Sequence, residues 1–208
     1  MAFLAFEGID GSGKTTLIQS LSKILKKQGI PLVITREPGG TEVGQEIRAL
    51  LLKKRLNPPL PSVETLLYYA DRKQNVDQVI QPALKEGKWV LSDRYWASTS
   101  AFQCGGRGES EALVNLLREK ICGECQPDLW ILLDLPVEQS LKRLNKFSRS
   151  HLDRFESEDR EFHQKIRDYY LKLSHENQEK WLILDATEPS SEILSKLLTH
   201  LERKKILK

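Results

Sequence analysis

Gly8-Ile9-Asp10-Gly11-Ser12-Gly13-Lys14-Thr15 has the spacing Gly, four residues, Gly-Lys-Ser/Thr, and residues of those types in that order can cradle a polyphosphate. Glycines accept positive φ at little steric cost, so the backbone N–H groups can turn inward as a nest of donors for an anion. Lys14 brings a point charge, and Thr15 a hydroxyl for Mg²⁺. The helix expected to start there adds the positive end of its dipole. The run Gly8, Ile9, Asp10, Gly11, Ser12, Gly13, Lys14, Thr15 and Thr16 is therefore the expected site for the phosphates of a donor nucleotide.

A second set of residues points to a second anion. Arg36, Arg48, Arg72 and Arg94 stand at expected strand ends and helix starts, and planar guanidinium groups match phosphate geometry better than lysine does. Together with a phosphate loop they indicate a small phosphoryl-transfer enzyme with an anionic acceptor. Other users of such a loop fit less well. A GTPase needs Asn-Lys-x-Asp to read guanine, and Asn145-Lys146-Phe147-Ser148 lacks the carboxylate. An oligomeric ATPase usually needs more than 208 residues, and a DNA-handling one a basic groove as well.

The elements that must carry these groups follow from apolar patterning. Phe3 to Phe6 is a short buried strand, and Leu17, Leu21, Ile24 and Leu25 recur at helical spacing after the loop. Strand, glycine loop and helix is the context the motif requires. Pro31 to Thr35, Trp89 to Leu91, Leu129 to Leu133 and Trp181 to Leu184 read as further strands. Thr41 is the expected N-cap of a helix carrying Ile47, Leu50 and Leu51. A long helical pattern runs from Val63 to Lys85, with a kink or break expected at Pro82, and others cover 110–121, 137–144 and the stretch ending at Tyr170. The last helix places Ile193, Leu194, Leu197, Leu198 and Leu201 on one face. Strands separated by helices imply a three-layer α/β fold, a five-stranded parallel sheet with helices on both faces. Ligands in such folds lie beyond the carboxyl ends of the strands. Residues 7–15, 36–41, 93–107, 134 and 185–187 are accordingly the site loops.

Composition bounds the rest. A chain of 208 residues, 39% of them hydrophobic, can bury one substantial core, so a single domain over residues 1–208 is expected. A net charge of +3, with basic residues scattered among acids, argues against a nucleic-acid partner. No stretch approaches the ~20 apolar residues of a membrane span, and the apolar run before Glu7 is too short for a signal peptide. A cytoplasmic protein with no membrane partner is expected. Cys104, Cys122 and Cys125 are an odd number, which suits a reducing compartment. Cys122 and Cys125 have CxxC spacing without the two further ligands of a zinc site, and read as turn cysteines.

Phe6-Glu7-Gly8-Ile9-Asp10-Gly11-Ser12-Gly13-Lys14-Thr15, Thr35-Arg36-Glu37-Pro38-Gly39-Gly40-Thr41, Tyr69-Ala70-Asp71-Arg72, Asp93-Arg94-Tyr95, Gln103-Cys104-Gly105-Gly106-Arg107-Gly108 and Asp153-Arg154-Phe155-Glu156 follow one another along the chain. In this order they resemble the thymidylate kinases of the bacterial type, from about Phe3 to the last helix. The first motif is shared by many kinases; the second and fifth are far more specific. The resemblance implies a P-loop NTPase fold and transfer of the ATP γ-phosphoryl group to dTMP, with Mg²⁺, in dTTP biosynthesis. It also implies a homodimer.

It assigns roles residue by residue. Asp10 would meet the acceptor's 3′-hydroxyl, Arg36 and Arg48 would hold its monophosphate, Glu37 would sit near that phosphate or a Mg²⁺-bound water, and Arg94 would bridge the two nucleotides. Asp93 would order the Mg²⁺ shell with Thr15, and Asp134 is its rival. Tyr68 would stack on thymine, Arg72 with Thr99 or Gln103 would read its polar edge, and Phe102 would press on the sugar. A lid at about residues 145–156, with Arg143, Lys146, Arg149 and Arg154 around it, would bring charge to the transferring phosphoryl group, Arg149 first and Arg154 second. The chain departs from the family pattern at Tyr68, where phenylalanine is usual, at Phe102 and Cys104, where tyrosine and glycine are common, and in a slightly longer lid.

Overall fold

The computed structural model describes residues 1–144 and 153–207. The strands are β1 (Phe3–Glu7), β2 (Leu32–Arg36), β3 (Trp89–Asp93), β4 (Leu129–Asp134) and β5 (Trp181–Asp185). Between and after them come α1 (Lys14–Lys27), α2 (Glu42–Leu52), α3 (Pro61–Asn75), α4 (Gln81–Lys85), α5 (Trp96–Thr99), α6 (Glu111–Cys122), α7 (Val137–Leu144), α8 (Arg160–Glu176) and α9 (Ser190–Arg203). The strands form one sheet in the order β2-β3-β1-β4-β5, and every pairing is parallel. The five-stranded parallel sheet expected from the pattern is thus present.

Apolar character grades with place in the sheet. Central β1 is buried at all positions, and β4 from Leu129 to Leu133, as helices on both faces require. The edge strands β2 and β5 leave Ile34 and Ile183 exposed. On α1 the buried face is Leu17, Ile18, Leu21 and Leu25, and it packs against α9, whose buried face is Ile193, Leu197 and Leu201. Each of these side chains contributes about 1.5–3 kcal/mol by leaving water. The phosphate loop therefore leaves the middle of the sheet and enters a helix clamped by the core.

Two stretches are wider-wound than regular helix. The helical run toward Lys85 is not broken at Pro82; it passes through a π segment, Val76–Ile80, before α4. Proline has no N–H to donate and its ring would strike the carbonyl of residue 78, and a wider turn accommodates both defects without a sharp kink. After α5 the chain forms a second π segment, Ser100–Gly106, closed by Arg107 N donating to Phe102 O at 3.0 Å. This helical stretch was not apparent in the sequence pattern, and its Phe102, with Thr99 at the end of α5, stands near the strand ends.

The turns follow side-chain chemistry. Thr41 Oγ1 accepts from Gly44 N at 3.0 Å and caps α2 as expected. Cys122 ends α6, and Cys125 N donates to Cys122 O at 2.8 Å in the following turn; both thiols, and that of Cys104, are free. No helix among the described residues is long and apolar enough to cross a membrane.

The loop after β2 is held by Thr35 Oγ1 donating to Asn75 Oδ1 at 2.6 Å. A Cβ on Gly40 would lie 2.4 Å from that Thr35 oxygen and 2.5 Å from that Asn75 oxygen. Gly40→Ala should therefore cost about 1–3 kcal/mol by overpacking. Urea denaturation reads this as a lowered midpoint, and an unchanged midpoint would show that the loop yields freely.

Candidate active site

The phosphate loop takes its shape from Gly8, Gly11 and Gly13, at φ 135°, 72° and 99°. At Gly8 a side chain is also excluded by neighbours, because a Cβ would meet Leu133 O of β4 at 2.5 Å. Lys14, the first residue of α1, folds back and donates to Gly8 O at 2.9 Å and Ile9 O at 3.1 Å. Burial pulls its ammonium down to about 8 and Arg94 adds to the effect, while Asp10, Asp93 and Glu7 oppose it. Ser12 Oγ is buried with no hydrogen-bond partner among the described residues. An anion seated in the loop would supply the missing acceptors and restore the lysine's proton affinity.

Beside the loop, Thr15 Oγ1 donates to Asp93 Oδ2 at 3.1 Å. A hydroxyl and a carboxylate at the mouth of a phosphate cradle are hard oxygen donors that fit Mg²⁺. Asp134 is differently engaged: Arg167 grips both its oxygens, Nε to Oδ1 at 2.7 Å and Nη2 to Oδ2 at 2.8 Å.

One continuous cleft of about 580 Å³ runs from the loop to the β2–α2 turn, and Lys14, Thr15, Arg36, Arg48, Asp93 and Arg94 all line it. Arg48 Nη1 donates to Pro38 O at 3.1 Å, and its guanidinium holds its proton less tightly than usual because of burial first and Arg36 second. Two cations side by side, with no carboxylate among the described residues bonded to either, form an anion site. Arg94, at the junction, pairs through Nη2 with Asp10. Burial lifts the Asp10 carboxyl, but Arg94 and Lys14 outweigh it and hold it below the usual carboxylate range.

Farther in, Arg72 Nε donates to Glu37 Oε2 at 2.7 Å, Asn75 Nδ2 to Glu37 Oε1 at 2.8 Å, and Arg72 Nη2 to Thr99 Oγ1 at 3.1 Å. Glu37 lines the cleft, yet its oxygens are committed, Oε2 to Arg72 and Oε1 to Asn75. The Arg72 guanidinium lies over the Tyr69 ring at 4.8 Å and stays cationic, because Glu37 more than offsets the cost of its burial. Its Nη1 is buried without a partner among the described residues, a free donor suited to a base carbonyl. Tyr68, Phe102 and Phe155 make an aromatic corner, with ring centroids of Tyr68–Phe155 at 6.4 Å and Phe102–Phe155 at 5.7 Å.

Of the two alternatives for reading a base edge, Thr99 lines the cleft, whereas Gln103 is wholly buried and donates to Glu64 at 3.1 Å. Arg154 is not brought to the cleft. Its Nη1 pairs with buried Glu64 and its Nε donates to Leu51 O at 3.2 Å, because a carboxylate inside the core must find a countercharge. Arg149, the first lid arginine, lies outside the described residues.

Some lining residues had not been assigned a role from the sequence, namely Ser98, Asp153, Phe155 and Glu156, and Arg143 had been named only among the charges around the lid. Asp153 Oδ1 accepts from Phe155 N at 2.8 Å and Glu156 N at 2.9 Å, and Glu156 Oε2 accepts from Asp153 N at 2.9 Å. This reciprocal box, written in the sequence as Asp-x-x-Glu, presents Phe155 to the cleft. Arg143 bridges Gly11 O at 3.0 Å and Ala186 O at 2.8 Å. Beside it a smaller hollow of about 220 Å³ opens between Ser12, Thr16 and Glu188. No local signal marks Arg143, since its partners lie 132 and 43 residues away.

A phosphate loop on a parallel sheet, facing a second anion site across one cleft, defines a P-loop nucleotide-binding protein equipped for two phosphorylated ligands. Residues 6–197 match the family model of thymidylate kinase. The chain is 45% identical to the thymidylate kinase of Bdellovibrio bacteriovorus over 210 aligned positions, covering 100% of this chain and 98% of that one. It is 42% identical to that of Carboxydothermus hydrogenoformans (96% of each covered) and 40% identical to that of Desulfosudis oleivorans (97% of this chain, 96% of that one). The chain belongs to the thymidylate kinase family.

Lys14 gives the cleft a pH dependence. With a triphosphate bound its proton affinity rises, so the complex keeps a proton that the free protein sheds above about 8. ATP affinity should be highest below that pH and fall by up to about tenfold per unit above it. Titration calorimetry across the range checks this; Lys14→Arg should flatten the profile, and a flat wild-type profile would contradict it.

Proposed function

We propose that this protein transfers the γ-phosphoryl group of ATP to dTMP, giving ADP and dTDP for dTTP synthesis. The observation that carries the reading is the single cleft with Lys14 at one end, Arg36 and Arg48 at the other and Arg94 between. ATP phosphates occupy the loop from Gly8 to Thr16, and the dTMP phosphate lies against Arg36 and Arg48. Arg94 exchanges Asp10 for phosphoryl oxygens, and Asp10 turns to the acceptor's 3′-hydroxyl. Tyr68 stacks on thymine, Arg72 Nη1 and Thr99 read its polar edge, and Phe102 covers the sugar. Gln103 and Glu37 act from behind, through Glu64 and Arg72.

Phosphoryl transfer asks little covalent chemistry of a protein; positioning and positive charge over the equatorial oxygens do the work. No general base is needed, because the acceptor is already an ionised phosphate. Thr15 and Asp93 would hold Mg²⁺, which when bound supplies charge at the donor phosphates. A lid at about 145–156, part of one kinase domain spanning 1–208, closes over the cleft and excludes water that would hydrolyse ATP. Arg149 brings charge to the transferring group, and Arg154 anchors the lid's end on α3.

Two copies associate through α3 and α6, which pack on each other and leave Val63 and Leu66 of α3 and Leu116 of α6 42%, 52% and 53% exposed. Grouped apolar side chains of that kind suit a second copy. Nucleotides are the ligands, with no nucleic-acid or membrane partner, and the setting is cytoplasmic.

A coupled assay with dTMP, dUMP, dCMP and thymidine tests the acceptor. dTMP should lead and dUMP keep some activity, since a methyl group is worth only ~1–3 kcal/mol. Preference for thymidine would leave Arg36 and Arg48 without a phosphate to hold and would overturn the reading. Lys14→Ala should slow turnover by at least about 10²-fold. Arg149→Ala should lower kcat more than it raises KM for dTMP; the reverse would make Arg149 a ground-state binding residue.

A further inference from the structure

Arg94 has φ 75°, a left-handed backbone that crowds the Cβ of any residue but glycine. The backbone is fixed there by Arg94 N donating to Phe6 O at 3.0 Å and Ser92 Oγ donating to Arg94 O at 2.7 Å. The side chain is fixed as firmly. Nη1 donates to Gly8 O at 3.2 Å, Ser98 Oγ at 3.1 Å and Tyr170 Oη at 3.1 Å. A guanidinium only donates, so both hydroxyls must accept from it and send their own hydrogens elsewhere.

Those hydrogens go to Glu7 directly or pass between the two hydroxyls on the way to it. Ser98 Oγ lies 2.5 Å and Tyr170 Oη 2.9 Å from Glu7 Oε2, and the two hydroxyls are 2.7 Å apart. Glu7 Oε1 takes the Tyr95 N–H at 2.8 Å. Glu7 is fully buried at the end of β1 and does not line the cleft. Burial raises the proton affinity of its carboxyl, and the contacts with Ser98, Arg94, Tyr95 and Tyr170 oppose that rise. As the carboxylate it accepts at every contact, with Arg94 as its countercharge one hydroxyl away.

We propose that Glu7 is a positioning residue for phosphoryl transfer: through the hydroxyls of Ser98 and Tyr170 it anchors the Nη1 side of Arg94, leaving the Nη2 edge to the cleft. This rests on the reading of the cleft as a dTMP kinase site. Glu7 sets the polarity of both hydroxyls, and their lone pairs then define one orientation of the guanidinium, at the point where a small displacement weakens contact with both nucleotides. Asp10 occupies the free edge until a phosphoryl oxygen replaces it.

Glu7→Gln keeps the shape but makes one end of the side chain a donor, so a hydroxyl must turn its hydrogen toward Arg94. It should lower kcat by about 10²-fold, with KM for ATP changed less than about threefold, as loss of geometry rather than of ground-state binding does. In an Arg94→Ala background the same change should cause no further loss. If Glu7→Gln does not fold, Tyr170→Phe, which removes only a hydroxyl, should lower kcat by about tenfold with the same non-additivity. Wild-type kcat in the variant, or losses that multiply with Arg94→Ala, would overturn the inference alone. A wild-type protein that does not turn over dTMP would overturn the underlying reading with it.

Discussion

Two phosphate-bearing ligands brought end to end repel each other, and at 4 Å two unit charges do so by about 4 kcal/mol at an effective dielectric of ~20. The charged groups of the cleft are arranged around that repulsion. The cations that offset it, Lys14, Arg36, Arg48 and Arg94, also crowd one another: Arg94 depresses Lys14, and Arg36 depresses Arg48. In the free protein several are held on internal acceptors, Lys14 on the carbonyls of Gly8 and Ile9, Arg94 on Asp10 and Arg72 on Glu37. Contacts of this kind fix the direction of each charge, which is what electrostatic preorganisation requires.

The sheet makes this arrangement reachable. β1 is central, so the loop after it stands between the chain leaving β3, which carries Asp93 and Arg94, and the chain leaving β4. Pairing of Phe6 with Asp93 and of Arg36 with Asp93 puts the phosphate loop, the junction arginine and the acceptor turn at neighbouring strand ends. A shift of register would part them. Gly8 permits the closest of these approaches, with β4 carbonyl oxygen where a side chain would otherwise stand.

Buried carboxylates behind the cleft decide which arginines are available to ligands. Glu64 is almost fully buried and takes Arg154, with Arg107 3.8 Å away; Glu37 takes Arg72. An ionised acid in the core is costly unless paired, and removing one partner of such a pair typically costs about 3–5 kcal/mol. Arg36 and Arg48, bonded to no carboxylate in the described structure, are left facing the cleft. The same logic makes Glu7 consequential, since its countercharge is the cleft arginine proposed to bridge the two nucleotides.

The sequence by itself determined the parallel sheet, the phosphate loop, the Thr41 cap and which arginines belong near strand ends. These are written locally: in glycines that accept positive φ, in apolar runs sized for buried strands, and in helical spacing. For the acid of the Mg²⁺ shell it left Asp93 with Asp134 as its rival. Only the tertiary structure shows Thr15 against Asp93 and Asp134 held by Arg167, Thr99 at the cleft and Gln103 behind it, and Arg154 drawn back to Glu64. The π segments at Val76–Ile80 and Ser100–Gly106, the bridge made by Arg143 and the layer of Glu7, Ser98 and Tyr170 were equally illegible. The physical reason is that backbone geometry answers to neighbours in the chain. The direction of a charged side chain answers to whichever buried countercharge folding brings near, as Arg154 does to Glu64 from 90 residues away.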